Sequence, residues 1–278
     1  MNKTVIIGSG FSAAVLTKTL DQKKNLLIFD KSRGPGGRSS TRRVDGVGFF
    51  DHGIQYISPK TKEFELFLNQ YLKSSIKEWS GDFRYFEGGK AMDRKKYIGK
   101  LGNNAFVKDL ITTKVEYLKE LVTIDRKNNN WVLQFKDKKI QECESLILTI
   151  PMEQCQKVTS SLNLDLNFEG SMEPNLTAMV GFKKSLKLSS CGIKFQKNSI
   201  LGWAGNESSK QRLGNNDNLE LWTLQSSLDF AKKYCHIYRD QKEEVLDSMI
   251  QEFIALLEIQ NVEISHKDIH GWLYAFKS

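Results

Sequence analysis

Proline is scarce, with 4 residues in 278, and no stretch is rich in proline or serine. A collagen-like or low-complexity chain is excluded, and nothing reads as a linker between strung-out domains. Cysteine is as sparse. Cys143, Cys155, Cys191 and Cys235 lie far apart without a Cys-x-x-Cys pair, so neither a small disulfide scaffold nor a zinc ribbon fits, and free thiols are expected. Long apolar runs are missing too. None approaches the ~18–20 residues of a membrane-spanning helix, and the N-terminus lacks the apolar core and small-residue cleavage site of a signal peptide. The expectation is a cytoplasmic protein without a membrane partner. No internal repeat is found.

What is present is ordinary globular material, with 40% hydrophobic and 27% charged residues. At ~150 residues per domain, the length suits one large or two modest domains. Lys+Arg 41 against Asp+Glu 33 gives 41 − 33 = +8. The basic runs Arg94–Lys96 and Lys136–Lys139 are short and carry no interleaved aromatic stripe, so they read as solvated surface and not as a nucleic-acid groove. A positive field also suits a small anionic ligand.

Periodicity predicts a strand over Thr4–Ile7, a helix after Gly10, and a second strand over Asn25–Phe29, a unit that requires parallel pairing. Helical spacing recurs over Thr61–Leu72 and Asn104–Ile111. Val115–Asp125 and Asn130–Lys136 alternate as a hairpin or meander. Ser145–Ile150 is an apolar strand stopped by Pro151. Later strands are expected at Thr177–Phe182, Ile200–Ala204, Leu219–Leu224 and Val262–Trp272, with a mobile polar loop over Gly205–Asn218. Val245, Leu246, Met249, Ile250 and Phe253 mark the strongest amphipathic helix.

Chemistry enters at Gly8-Ser9-Gly10-Phe11-Ser12-Ala13. The motif follows a strand, opens a helix, and is followed 30 − 10 = 20 positions after Gly10 by Asp30. Gly8 permits a tight turn, Gly10 lets backbone approach a pyrophosphate, and Ala13 allows close helix packing. The helix N-terminus offers N–H groups and partial positive charge to phosphates. Asp30 can accept from ribose hydroxyls. A second glycine loop, Gly34-Pro35-Gly36-Gly37-Arg38, follows directly. A nicotinamide-only domain has no need of it, whereas a larger dinucleotide has.

That pair of loops resembles the flavin-binding segment of amine-oxidase-type FAD enzymes. Asp51-His52-Gly53-Ile54-Gln55-Tyr56-Ile57 is similar to a segment of the renalases and their bacterial and plant relatives. Leu146–Pro151 and Trp272-Leu273-Tyr274-Ala275 extend the likeness in order along the chain. The resemblance implies an α/β fold, with non-covalent FAD between a Rossmann-type FAD/NAD(P)-binding domain (1–57 and 98–158) and an interleaved, smaller mixed α/β substrate domain (58–97 and 159–278). It implies that Gly8, Gly10 and Ala13 face the pyrophosphate, and that Asp30 and Lys31 flank the ribose. Gly37 and Arg38 would cover phosphate and ribitol, while Val115 would meet adenine through its backbone. Gln55 and Tyr56 would lie near the isoalloxazine, with His52 close by. The implied reaction takes a hydride from a reduced nicotinamide-type (dihydropyridine) compound to FAD, with reoxidation by dioxygen and no protein nucleophile or metal. An amine oxidase or desaturase on the same scaffold, or a nucleotide-binding relative without flavin chemistry, are the alternatives. The late Gly-Asp turn and helix of this enzyme type are not found before Ser278, so weaker FAD contacts are expected.

His266 and His270 have a helical metal-ligand spacing but no third ligand, in a segment patterned as a strand, and read as surface histidines. His52 reads as a hydrogen-bonded structural residue. Ser39-Ser40-Thr41 lacks the context of a nucleophile elbow. Trp203, Trp222, Trp272 and Tyr274 are equally consistent with a substrate wall and with core. The oligomeric state is left open.

Overall fold

A computed structural model describes residues 3–20, 25–86, 94–162 and 170–277. The chain forms two units, each from two main stretches: residues 1–39 with 104–172, and residues 40–103 with 173–277.

The first unit is Rossmann-type. Its parallel sheet runs in the order Ser145–Leu148, Lys3–Ile7, Asn25–Phe29, Val115–Glu116. The Lys3–Ile7 strand is β-branched and central, and its alternate residues feed two cores. Ile6 packs with Ile28 and with Ala13 of the helix Phe11–Thr19, while Val5 and Ile7 pack with Leu121, Ile124, Leu133 and Phe135. Burying each such aliphatic side chain contributes about 1.5–3 kcal/mol. Ile147 joins the helix-side core, and Leu146 and Leu148 join the other, so the apolar edge strand is used on both faces.

The expected single strand over Val115–Asp125 divides. Val115–Glu116 pairs with Ile28–Phe29, Leu118 takes a left-handed φ of 59°, and Leu121–Lys127 then pairs antiparallel with Asn130–Phe135. Asn128 and Asn129, both at positive φ, make the two-residue turn between these last strands, a conformation that asparagine tolerates and hairpin twist favours. The strand Ile140–Cys143 completes a three-stranded layer.

The second unit is built on a six-stranded sheet in the order Ile264–Lys277, Met172–Phe182, Glu220–Ser226, Leu201–Asn206, Ser190–Lys194, Asp82–Tyr85. The helix Lys242–Leu256 buries Val245, Leu246, Met249, Ile250 and Phe253 in a core shared with Ala178, Val180, Ala204, Trp222 and Leu224. Trp222 is therefore core. Thr177, Gln225 and Trp203 stand opposite one another at alternate positions of their strands. Gln225 Nε2 donates to the Gly53 carbonyl at 2.7 Å, which ties the 51–56 segment to the sheet.

Two expectations change here. Residues 40–57 and 98–103, assigned by resemblance to the dinucleotide domain, group with the second unit, which is the larger of the two and not the smaller. The hairpin Arg42–Val44/Gly48–Phe50 leads straight into Asp51, whose side-chain partners lie in that unit. Gly205–Asn218 is only partly solvated, with Gln211, Leu213 and Asp217 exposed. It holds Glu207, Lys210 and Arg212, all buried.

Candidate functional site

The first glycine loop has the geometry of a phosphate cradle. Gly8 has φ +100°, and a Cβ there would stand 2.7 Å from Thr149 Oγ1, so glycine is needed on both counts. Thr149 Oγ1 donates to the Ile7 carbonyl at 2.9 Å, locking the turn to the edge strand. Gly10 differs: a Cβ built on it meets nothing within 4 Å. It is also the N-cap of the helix Phe11–Thr19, with no side-chain cap and no acidic residue in the first turn. An open, uncapped helix start is where backbone N–H groups and the helix dipole take an anion.

The second glycine loop is laid against the first. Gly36 N–H donates to the Ser9 carbonyl at 3.1 Å, and a Cβ on Gly37, at φ +52°, would lie 3.4 Å from Gly10 Cα. The short turn Gly37–Ser39 leaves Arg38 exposed beside it. Ala13 is fully buried against Ile6 and Ile28. Its side chain serves helix packing, as its small size allows.

Asp30 organises the loop edge. Its Oδ2 accepts from Ser9 N–H at 2.6 Å and Ser9 Oγ at 2.7 Å, and its Oδ1 from Ser32 N–H at 2.7 Å and Ser32 Oγ at 2.6 Å. A carboxylate has about four acceptor sites, so these four donors fill it, and any further hydroxyl donor has to displace one of the two serine hydroxyls. Tyr117 bonds Ser9, and burial with the Asp30 charge beside it raises the Tyr117 hydroxyl. Ser9, Ser32 and Tyr117 were not singled out from sequence. Lys31 is exposed, and Val115 packs on the helix-side core while its strand pairs with Ile28.

In the second unit, the resemblance-assigned residues fall into three settings. Gln55 belongs to a buried ionic network. Lys210 Nζ lies 2.9 Å from Asp51 Oδ2 and 2.9 Å from Glu207 Oε1, and 3.4 Å from Gln55 Oε1. Arg212 donates to Asp51 at 2.5 Å, to Glu207 at 3.1 Å and to the Gly99 carbonyl at 3.1 Å. Thr41 and Asn103 N–H satisfy the other Asp51 oxygen, and Thr223 bonds Glu207. All four charged side chains have zero exposure. Burial opposes ionisation at both carboxyls, yet the Arg212 and Lys210 charges hold Asp51 well below the usual range. At Glu207 burial prevails and the carboxyl is raised. Such a network contributes little net stability compared with an apolar core, but breaking it is costly. It fixes the start of the 51–56 segment.

His52 lies in the second setting. It is buried, its carbonyl accepts from Trp272 Nε1 at 2.8 Å, and its ring stacks on Trp272 and meets His270 edge-on, 4.9 Å between centroids. Burial first, then the neighbouring His270 and Arg42 charges, lower it from 6.5 to about 3. The imidazole is neutral, and its Nδ1 is buried without a partner among the described residues. His266 stacks on Phe50, and burial lowers both His266 and His270. Neither is the surface histidine expected from sequence. Among the described residues, no group of three or more His, Cys, Asp or Glu could hold a metal, and none of their helices is long and apolar enough to cross a membrane.

Tyr56 lies in the third setting, beside Trp79 and Trp203 with ring centroids 6.1 and 5.8 Å away. The Lys96 ammonium stands over this group. Trp203 thus lines an aromatic cluster, unlike Trp222.

Residues 6–71 match the family model of the NAD(P)-binding Rossmann-like domain. Over the whole chain the fold is similar to a candidate protoporphyrinogen oxidase from Exiguobacterium sp. 255-15, with TM-score 0.75 and 10% identity, covering 100% of this chain and 87% of that one. It is also similar to a reduced UDP-galactopyranose mutase, with TM-score 0.74 and 12% identity over 99% and 85% of the chains. A putrescine oxidase redesigned in its cofactor binding gives TM-score 0.67 and 10% identity over 95% and 85%. At these identities the likeness is one of fold.

Proposed function

We propose that the chain is a flavin-dependent oxidoreductase of renalase-like type, taking a hydride from a reduced nicotinamide-type compound. The observation that carries the reading is the pair of glycine loops held together at Gly36 N–H and the Ser9 carbonyl, around an open Gly10 and an uncapped helix start. These residues fit the ADP half of FAD. Gly8 and Gly10 shape the backbone for the pyrophosphate, the helix start and Arg38 supply positive charge, and Asp30 offers acceptors for ribose hydroxyls. Bound FAD would supply the hydride acceptor and its reoxidation by dioxygen.

The chain's own contribution on this reading is position and environment. The buried network sets the first residue of the 51–56 segment, and the neutral His52 offers a hydrogen-bonding nitrogen but no charge. Tyr56 and Trp203 provide flat apolar surface. An amine oxidase on the same scaffold has to accept a cationic or amine substrate. The Lys96 ammonium beside Tyr56 opposes that and favours the dihydropyridine reading. Mixing FAD-loaded protein with dihydronicotinamide isomers without oxygen should bleach the flavin band, and air should restore it with release of peroxide. Bleaching by putrescine or benzylamine but by no dihydropyridine would assign the amine-oxidase activity instead.

A further inference from the structure

Lys210 and Lys96 are both buried, and among the described residues only Lys210 is matched. All three of its ammonium protons point to acceptors on Asp51, Glu207 and Gln55. Lys96 is 9% exposed. Its Nζ has one long contact, 3.5 Å to the Arg94 carbonyl, and among the described residues no carboxylate lies within ion-pair distance of it. Instead it stands 4.1 Å from the Phe83 ring centroid and 5.8 Å from that of Tyr56. Cation–π contacts offset only part of the cost of taking an ammonium out of water. A buried charge left this way is a place where a counter-charge fits.

The surroundings define what carries that charge. Tyr56, Trp79, Phe83 and Trp203 form a closed circuit of ring contacts, with centroids 5.1–6.4 Å apart. Phe83 and Trp203 are within 22° of parallel. Both lie against Gly192, where a Cβ would stand 2.4 Å from Trp203 and 3.0 Å from Phe83. A bare glycine is what allows the two rings to lie there. Trp203 Nε1 is buried and has no acceptor among the described residues. The group therefore presents flat apolar surface, two under-used donors at Lys96 and Trp203, and no carboxylate among the described residues.

We infer that this ring cluster is a binding site for an aromatic or heteroaromatic carboxylate, the acid pairing with Lys96 and the ring lying on the aromatic surface. A single ammonium among rings suits a monoanion with a planar body. A phosphate would call for an arginine fork or a backbone cradle, which the cluster does not have. The site lies wholly in the second unit and shares Tyr56, Trp203 and Lys96 with the substrate surface of the proposed function; benzoate binding is read without FAD, so it can fail independently of the flavin reading.

The full chain should be titrated with benzoate, benzamide, benzylamine and acetate, following tryptophan fluorescence and heat. Benzoate should quench saturably and bind about tenfold or more tighter than the neutral, cationic and ringless probes. Lys96→Met should weaken benzoate by a similar factor, and Lys96→Arg should retain most of the affinity. Equal binding of benzoate and benzylamine would overturn the inference. So would an unchanged benzoate affinity in a folded Lys96→Met protein, or no saturable signal with benzoate at millimolar concentration. Should Lys96→Met fail to fold, the comparison of the four probes on the unaltered chain decides the matter by itself.

Discussion

Lys210 and Asp51 stand 159 positions apart in the chain, and their charged groups meet at 2.9 Å with neither side chain exposed. The contact joins a turn after one strand of the large sheet to the residue that follows the Gly48–Phe50 strand. Glu207 and Arg212 complete an alternating set of two anions and two cations, so removal of any one leaves a buried charge unmatched.

Lys210→Met should accordingly lower unfolding free energy by about 3–5 kcal/mol. Lys96→Met removes a buried charge that has no carboxylate partner among the described residues, and should cost little or stabilise. Urea denaturation of the two variants checks the contrast. Equal losses would show that the two lysines are alike in their pairing.

The two glycines of the first loop should separate stability from binding. Gly10→Ala has an ordinary backbone φ of −80° and open space for the methyl. It should change stability by no more than about 0.5 kcal/mol, yet weaken FAD and ADP at least tenfold by filling the cradle. Gly8→Ala, at φ +100° and against Thr149, should cost about 1–3 kcal/mol before any ligand is added. Thermal melts and ADP titration of both variants test this.

Much of the first unit could be read from sequence because its signals are local. The β-branched 4–7 run, the spacing of Gly8, Gly10 and Ala13, and Asp30 at a strand end all act within thirty residues of each other. The second unit's site could not be read in the same way. Gly205–Asn218 is polar by composition, and only long-range pairing with Asp51 buries Glu207, Lys210 and Arg212. An acid followed by two bases within six residues, Glu207, Lys210 and Arg212, was the available signal. Lys96 sits in a basic triplet that reads as surface, and it becomes a buried cation only because Tyr56, Phe83 and Trp203 converge from three distant segments. His266 and His270 were placed correctly on a strand, but their burial depends on Phe50 and His52.

His52 should give the protein an acid sensitivity. Its folded value of about 3 lies below the 6.5 of the free side chain. Its contribution is therefore complete above 6.5 and is lost as pH falls from there toward 3. The full interval corresponds to about 5 kcal/mol. His52→Gln should flatten the fall in stability between pH 6.5 and 3 relative to the unaltered protein, as read by urea denaturation at several pH values. An unchanged slope would mean that His52 is protonated without penalty.

Asp30→Ala removes a charge-assisted acceptor for ribose and also frees the Ser9 and Ser32 donors. Each charge-assisted hydrogen bond is worth about 1.5–3 kcal/mol. FAD affinity should fall roughly ten- to over a hundred-fold, with a modest loss of melting temperature. Full affinity by titration would remove Asp30 from the nucleotide site.

The central claim is that the paired glycine loops hold FAD, and the visible spectrum tests it most directly. The full chain, titrated with FAD at equilibrium, should shift the flavin absorbance band and saturate at one equivalent per chain, and Gly10→Ala should need at least tenfold more FAD. A chain that binds ADP but leaves the spectrum of added FAD unchanged, or a Gly10→Ala variant that titrates like the original, would contradict the account.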